Sequence, residues 1–249
     1  MSKVELLTLA DYKKAAATLY ESFDDDDVAR YVSNHLESDP ERRKLADIAL
    51  YEMYVYSHIL RGQVVAVKGE DHESSDTFET VSVWVQPGAL PVDSWWTLLR
   101  SGYLKLSWYT GLKGRKRVFQ EMFPLLHDSA HEILGDDAEK AYFLVYLGST
   151  PKARGKGNVR AIFEYMFSNY IDKNGFVSYL ESSSLKNLPI YEKFGFRCVS
   201  DIWLGDKTNP KDSARMDVMV RGVKGEKWEQ HDHVRKTRSY EPPKECALH

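Results

Sequence analysis

The sequence predicts a mixed α/β fold, and three features of its second half indicate this class. Phe143 to Leu147 are apolar, as in a buried strand, and a glycine-containing loop follows them. From Val159 to Tyr170, apolar residues recur at three- and four-residue spacing, which predicts an amphipathic helix packed on a core. A β-branched and aromatic run, Phe176 to Glu181, predicts the next strand.

Local start signals place two helices in the first third of the chain. Thr8 with Asp11 predicts a capping box for a helix that runs through Phe23. Asp39 before Pro40 predicts the start of another helix, because proline is tolerated at the first helical position. The other predicted elements are strands at residues 4–7, 63–67 and 80–85, a mostly helical stretch at 91–134 with a break near 111–114, and final strands at 197–204 and 215–221.

Length and composition predict one domain with an appended tail. The 249 residues are 43% hydrophobic, which suffices for a sizeable core, and we assign residues 1–223 to the domain and 224–249 to a polar tail. A net charge of −3 gives no electrostatic reason to expect nucleic acid or membrane as a partner. Few cysteines and the lack of a membrane-spanning run or signal pattern favour the cytoplasm. Nuclear entry by diffusion is left open, as is the choice between monomer and homodimer.

The loop between the first predicted strand of this half and the helix has the composition of an anion site. Gly155 and Gly157 allow close approach of a ligand, and Arg154 and Lys156 add positive charge. The N–H groups in the first turn of the following helix lack internal partners, so the stretch predicts a site for a pyrophosphate. It is neither of the common phosphate loops, since the Lys-Ser/Thr pair and the third glycine are missing. Taken alone, it also fits a solvated turn.

Two motifs resemble those of the GCN5-related N-acetyltransferases, the GNAT superfamily. Arg154-Gly155-Lys156-Gly157 is similar to their acetyl-CoA loop, and Asn187 to Phe196 is similar to their Asn-x-x-x-Tyr-x-x-x-Gly-Phe segment. Leu180 to Ser183, with that segment, resembles the puromycin N-acetyltransferase-like branch. The resemblance covers residues 141–205. It implies acetyl-CoA as cosubstrate and a central, mostly antiparallel sheet with helices on both faces, in which the coenzyme-binding strand splays away from its neighbour.

The resemblance also implies which residues hold the coenzyme. Backbone groups at the end of the splayed strand would hold the pantetheine arm and polarise the thioester carbonyl, and the glycine loop would hold the pyrophosphate. One of these residues, Asn187, has the alternative role of a helix cap. The predicted coenzyme-binding residues are Leu147, Gly148, Ser149, Arg154, Gly155, Lys156, Gly157, Asn158, Val159 and Asn187.

Acetyl transfer to an amine needs a base for the ammonium and an acid for the departing thiolate. The resemblance places Tyr191 beside the coenzyme sulfur as general acid, and the alternative is an ordinary packed aromatic residue. Glu181, at the end of a predicted strand beside the splay, is the predicted general base, acting through a water. The alternative for Glu181 is a carboxylate that orders the adjacent turn, and an amine of low pKa needs no base.

Charge and aromatic content suggest where the acceptor amine binds. Asp24, Asp25, Asp26 and Asp27 follow the first helix and can attract a cationic amine, although such runs are usually solvated turns. Trp84 and His127 are further candidates for the substrate-binding site. Additional aromatic candidates, which also fit core packing, are Trp95, Trp96, Trp108 and the tyrosines of residues 51–56.

One histidine pair resembles a metal motif. His127 and His131 lie four residues apart on a predicted helix, as in the zinc-binding His-Glu-x-x-His pattern. Asp128 stands in place of the longer Glu, and no third ligand follows at a recognisable spacing. The sequence therefore predicts no metal.

The predicted activity is transfer of an acetyl group from acetyl-CoA to a primary amine of a small molecule, such as a polyamine, an aminonucleoside or another xenobiotic amine. Two alternatives stay open. One is acetylation of a protein N-terminus or lysine, which needs an open groove. The other is a non-catalytic acyl-CoA-binding sensor module, against which Tyr191 and Glu181 argue.

Overall fold

A computed structural model describes residues 3–89 and 95–229 of the chain. The strands are β1 (Val4–Leu6), β2 (Gln63–Val67), β3 (Thr80–Val85), β4 (Ala141–Ser149), β5 (Val177–Ser182), β6 (Arg197–Gly205) and β7 (Ser213–Arg221). The α-helices are α1 (Tyr12–Ser22), α2 (Asp27–Ser33), α3 (Pro40–Arg61), α4 (Trp95–Arg100), α5 (Tyr103–Lys116), α6 (Phe123–Leu134), α7 (Asn158–Met166), α8 (Asp172–Asn174) and α9 (Leu188–Glu192). Two π-helical segments, Arg117–Met122 and Phe167–Ile171, continue α5 and α7.

The strands form one mixed sheet in the order β1-β2-β3-β4-β5-β7-β6. All neighbouring strands run antiparallel except β4 and β5, which are parallel. A parallel pair needs a long crossover connection, and α7 with its π-helical continuation supplies it. The predicted mostly antiparallel sheet is confirmed.

Helices cover both faces of this sheet, as two adjacent residues of β3 demonstrate. Val83 is fully buried in a cluster with Leu19 of α1 and Val55 of α3. Trp84 points to the opposite face, because side chains alternate along a strand, and it packs against Phe163 of α7. The mixed α/β class with helices on both faces is therefore confirmed.

The two predicted helix starts have different outcomes. The Asp39 carboxylate accepts a hydrogen bond from the Arg42 N–H (3.1 Å), and α3 begins where it was predicted. For the first helix the predicted start is too early. The Asp11 carboxylate accepts hydrogen bonds from both the N–H and the hydroxyl of Thr8, each 2.9 Å long, and α1 begins only at Tyr12. The Asp11 N–H donates to the Thr8 carbonyl oxygen (2.9 Å) instead of the Thr8 hydroxyl, so this hydroxyl does not cap the helix.

The break predicted in the helical stretch is present at Gly111. This residue has φ 65° and ψ −166° inside α5, a conformation that favours glycine. Among the described residues, no helix is both long and apolar enough to cross a membrane. The predicted C-terminal tail lies mostly outside the described residues, which end at Glu229.

Candidate functional site

Strands β4 and β5 separate halfway along their length. Ala141 to Leu144 pair with Val177 to Leu180, and the pairing then stops although β4 continues to Ser149. The splay that the sequence resemblance implied is therefore present. It leaves the backbone of residues 145–149 without a strand partner on the β5 side, where a ligand can bind it.

A β-bulge at Val145 explains why the strands diverge. Along the β3 side, Leu144 pairs with Trp84 and Tyr146 pairs with Val83, so Val145 is an extra residue in β4. A bulge bends its strand and increases the local twist. The bend turns the second half of β4 away from β5.

The predicted phosphate loop follows β4 and leads into α7. Gly155 and Gly157 adopt φ values of +80° and +83°, which side chains disfavour. A Cβ atom added at either glycine would meet no heavy atom within 4 Å, so the space beside both is open. Helix α7 begins at Asn158, and the N–H groups of its first turn have no intrahelical acceptor. This arrangement suits an anion.

The side chains of Lys156 and Asn158 have a partner that the sequence did not predict. Glu79, just before β3, accepts hydrogen bonds from the Lys156 ammonium and from the Asn158 amide, both 2.7 Å long. The Lys156 contact is the main reason why the pKa of Glu79 is lowered. The positive charge of Lys156 is thus balanced within the protein, and both side chains fix the loop to the sheet. Arg154 is exposed and makes one long contact with the Ser22 carbonyl (3.4 Å).

Gly148 allows β4 to lie close to the end of α1. A Cβ atom at this position would lie 2.7 Å from the Cβ atom of Ser22, closer than real contacts permit. Ser149, one residue further, shares a hydrogen bond with the Thr80 hydroxyl (2.9 Å). The end of β4 is therefore fixed on the side away from the splay.

Beside the splay lies a cavity of about 1080 Å³. Its wall includes an aromatic cluster in which the Tyr146 ring lies 5.0 Å from Tyr54, 5.5 Å from Tyr51 and 5.6 Å from Phe23. Such edge-on contacts between rings are favourable and hold the rings in place. Tyr51 and Tyr54 thus line the cavity and are also packed in the core, so both interpretations of these tyrosines apply. Apolar residues complete the wall, among them Val28, Val32, Leu50, Phe119, Met122, Phe123, Phe143 and Met216.

Glu181 lies in the wall of this cavity near the end of β5. Burial raises its pKa from 4.5 to about 7, against the opposing effect of the Tyr179 hydroxyl two residues earlier on the same face. At neutral pH both protonation states are populated, as a general base requires. The adjacent turn is ordered by other groups, since the Ser182 hydroxyl donates to the Ser184 carbonyl (2.9 Å).

Tyr191 of α9 and Asn187 line the same cavity. The Tyr191 ring packs edge-on against Phe163 and Phe196, with 6.2 Å between ring centroids in each pair. Burial, with a smaller effect of Asp26, raises the pKa of Tyr191 to about 12, so its hydroxyl stays protonated and can donate. The alternative of a capping Asn187 is wrong, because its side chain makes no capping hydrogen bond to α9.

The four consecutive aspartates have different environments. Asp24, Asp25 and Asp27 are exposed, as in a solvated turn. Asp26 caps α2 by accepting hydrogen bonds from the N–H groups of Val28 (2.9 Å) and Ala29 (3.0 Å). It also accepts one from the Ser183 hydroxyl, which ties α2 to the end of β5. Burial raises the pKa of Asp26, and of the run it is Asp26 that lines the cavity.

His58 is a cavity residue that the sequence did not single out. Its Nδ1 atom lies 2.7 Å from the Tyr54 carbonyl oxygen. A carbonyl only accepts, so Nδ1 carries the proton and Nε2 keeps its lone pair. Burial lowers the pKa of His58 to about 4, which keeps the ring neutral at physiological pH. In a helical sequence pattern, a histidine that faces a cavity cannot be distinguished from one that is packed in the core. This explains why His58 was missed.

The histidine pair on α6 borders the cavity. His127 and His131 both line it, with 4.5 Å between their ring centroids. In residues 3–89 and 95–229, no group of three or more His, Cys, Asp or Glu side chains is arranged to hold a metal ion.

The predicted role of Trp84 in acceptor binding is wrong. Its side chain is fully buried in the core on the α7 side, and its Nε1 atom donates to the Ser82 hydroxyl (2.8 Å). Trp95, Trp96 and Trp108 are exposed on α4 and α5 and do not line the cavity.

Comparison with known proteins places this architecture among acetyltransferases. No family model matches the chain. A Schizosaccharomyces pombe protein described as an uncharacterized N-acetyltransferase, C550.08, is 38% identical over 211 residues, which cover 85% of this chain and 79% of that protein. The fold is similar to the histone acetyltransferase HPA2 and related acetyltransferase of Corynebacterium glutamicum (18% identity, 90% of this chain, 97% of that chain, TM-score 0.57). It is also similar to the Drosophila melanogaster polyamine N-acetyltransferase that forms N-acetylagmatine (9% identity, 89% of this chain, 99% of that chain, TM-score 0.58).

Proposed function

Because this chain belongs to the GNAT-type N-acetyltransferases, we propose that it transfers an acetyl group from acetyl-CoA to a small primary amine with an apolar or aromatic body. One observation carries this proposal. Glu181 faces an aromatic-lined cavity directly beside the splay of β4 and β5, and burial raises its pKa to about 7. The same motifs that resemble the family support a position near its puromycin N-acetyltransferase-like branch.

The splay and the loop fit acetyl-CoA, which would supply the acetyl group as a thioester. The open space beside Gly155 and Gly157 and the first turn of α7 suit the phosphates. The unpaired edge of residues 145–149 suits the pantetheine arm, whose amides need backbone partners.

Two side chains each carry out one proton transfer of the reaction. Glu181 accepts the proton of the approaching ammonium, directly or through a water, and its pKa near 7 suits this at neutral pH. Tyr191, protonated up to alkaline pH, donates to the departing sulfur. Backbone N–H groups at the splay donate to the oxygen on which negative charge develops.

The cavity wall indicates the chemical class of the acceptor. The rings of Tyr51, Tyr54 and Tyr146 offer faces and edges to an alkyl or aromatic body, and a cation is attracted to such rings. The half-buried Asp26 adds a carboxylate at the same wall. The Drosophila protein of similar fold acts on a polyamine, which supports an amine acceptor here.

Thiol release from acetyl-CoA in the presence of single amines tests this function. The panel contains polyamines, arylalkylamines, aminonucleosides, aminoglycosides, and peptides with a free N-terminus or lysine. We expect turnover with small amines that carry an apolar body, and loss of turnover in Glu181→Gln and Tyr191→Phe. His72→Gln, in the loop between β2 and β3 and outside the cavity, is the matched control and should keep activity.

The other outcomes separate the alternatives. Turnover with peptides alone would assign the chain to protein acetylation. Tight acetyl-CoA binding without transfer to any amine in the panel would favour a sensor module.

A further inference from the structure

Helices α4 and α5 carry an apolar surface that belongs neither to the cavity nor to the predicted phosphate loop. Trp95 contacts Tyr103, with 5.4 Å between ring centroids, so the two helices share this surface. Large apolar side chains grouped on the outside of a protein mark interaction sites. Its exposed side chains, at 58% to 80% exposure, are Trp95, Trp96, Leu104, Trp108 and Leu112. We call it the α4–α5 surface.

The α4–α5 surface is also strongly cationic. From Trp95 to Gln120 the sequence has no Asp or Glu, whereas the whole chain has 37 of them and a net charge of −3. Lys105 is paired with Glu52, and Lys116 with Glu121. The other three exposed cations have no ion pair within the described residues. The five exposed cations are Arg100, Lys105, Lys113, Arg115 and Lys116.

We infer that the α4–α5 surface docks the protein on an anionic lipid membrane. Helices that lie in the membrane interface present tryptophan and leucine to the acyl boundary and lysine and arginine to the headgroups. Tryptophan in particular favours the headgroup level, and each cation near an anionic leaflet adds to the attraction. No membrane partner was expected from the overall negative charge of the chain, because net charge does not report a local cluster of cations.

Two other occupants fit the surface less well. A single-stranded nucleic acid would stack its bases on the tryptophans, but it would leave the aliphatic Leu104 and Leu112 exposed. Residues 230–249 of the chain carry four Lys or Arg side chains against three Asp or Glu side chains, so charge does not favour them as a cover for a cationic surface.

Co-sedimentation of the full chain with vesicles tests the inference. One set of vesicles is phosphatidylcholine alone, and the other contains about one third phosphatidylserine. We expect binding to the anionic vesicles at about 0.1 M salt and much weaker binding at about 0.5 M salt, because salt screens exposed charges. Lys113→Gln with Arg115→Gln should lower the partition coefficient about twenty-five-fold, since each cation contributes a factor of about five.

Matched variants separate docking from stability. Trp108→Ala with Leu112→Ser should lower binding about tenfold, since these side chains would lie in the interface. Leu6→Ser, at a side chain 45% exposed on β1, and Lys173→Gln, at an exposed cation, should bind like the parent. Acetyl-CoA affinity measured by calorimetry should be the same in all variants.

Quenching by brominated lipids identifies the contact directly. Tryptophan fluorescence should be quenched in the parent and less so in Trp108→Phe. Failure to bind anionic vesicles at about 0.1 M salt, or equal binding by the parent and both surface variants, overturns the inference. Binding of a single-stranded oligonucleotide or of polyglutamate through Trp108, without vesicle binding, also overturns it and assigns the surface to that partner.

Discussion

Glu79 pairs with Lys156 of the predicted phosphate loop, with 2.7 Å between its carboxylate oxygen and the ammonium nitrogen. Its second oxygen accepts the Asn158 amide at the same distance. This contact attaches the loop to the start of β3 and balances the charge of Lys156.

Removing the charge of Glu79 should strengthen coenzyme binding. In Glu79→Gln the amide oxygen can still accept from Asn158, while Lys156 becomes available to a phosphate. We expect a gain of about threefold in acetyl-CoA affinity and a steeper dependence on salt, since exposed ion pairs contribute at most about 1 kcal/mol. Glu79→Ala, which also loses the Asn158 anchor, should bind more weakly than the parent. If calorimetry shows weaker acetyl-CoA binding by Glu79→Gln than by the parent, the Glu79–Lys156 pair supports binding by holding the loop in place.

Gly157 should be sensitive to the size and charge of a substituent. Its φ of +83° makes any side chain costly by about 1 kcal/mol, so Gly157→Ala should lower stability and weaken coenzyme binding slightly. Gly157→Glu should suffer the same backbone strain and in addition obstruct and repel the phosphates. We expect at least tenfold weaker binding in Gly157→Glu than in Gly157→Ala. Equal dissociation constants of acetyl-CoA for the two variants would show that this loop does not bind the pyrophosphate.

Tyr191→Phe should lower kcat on the order of a hundredfold, because a general acid acts in the transition state. The dissociation constant of acetyl-CoA should stay nearly unchanged, since the ring and its packing on Phe163 and Phe196 are kept. Single-turnover kinetics would measure the chemical step directly. An unchanged rate in the variant would exclude Tyr191 from proton transfer.

Ionisation of Glu181 should lower the free energy of unfolding as pH rises. Its pKa of about 7 in the folded protein exceeds its ordinary value of 4.5, so the folded state binds more protons between these pH values. Stability therefore falls as pH rises through this window, and above it the buried charge costs about 3 kcal/mol. In urea unfolding, the free energy of unfolding of Glu181→Gln minus that of the parent should rise by this amount between about pH 4 and about pH 8. A difference that is constant over this range would contradict the raised pKa.

Asp26 and its exposed neighbours should have separable effects on the amine. Asparagine is as good a helix cap as aspartate, so Asp26→Asn should keep α2 while it removes the charge at the cavity wall. We expect the KM of the amine to rise about tenfold, as when a charged hydrogen-bonding group is lost. The triple variant Asp24→Asn, Asp25→Asn, Asp27→Asn should leave this KM unchanged. If the triple variant raises the KM of the amine and Asp26→Asn does not, the exposed aspartates attract the amine instead of Asp26.

The sequence predicted the fold better than the cavity, for reasons that particular residues make clear. β2 and β3 were predicted with their observed bounds, because dense β-branched runs between polar turns leave little choice. Tyr146 was missed because the bulge at Val145 shifts the alternation of β4, and a bulge leaves no mark in the hydrophobic pattern. Asp26 could not be distinguished from three identical neighbours until the start of α2 was known. Trp84 was misassigned because an aromatic side chain in a strand gives no sign of which face it occupies.

The splay also divides the hydrogen-bonded sheet into two units. β1 to β4 form one antiparallel meander, β5, β7 and β6 form a second antiparallel unit in that order, and four residue pairs of β4 and β5 join the two. Regions joined by few hydrogen bonds open separately, and amide hydrogen exchange reports such openings. A coenzyme bound across the gap would bridge both units, so it should slow exchange in β5 as well as in β4. The coenzyme would then act as a cohesive element of the folded protein, in addition to donating the acetyl group.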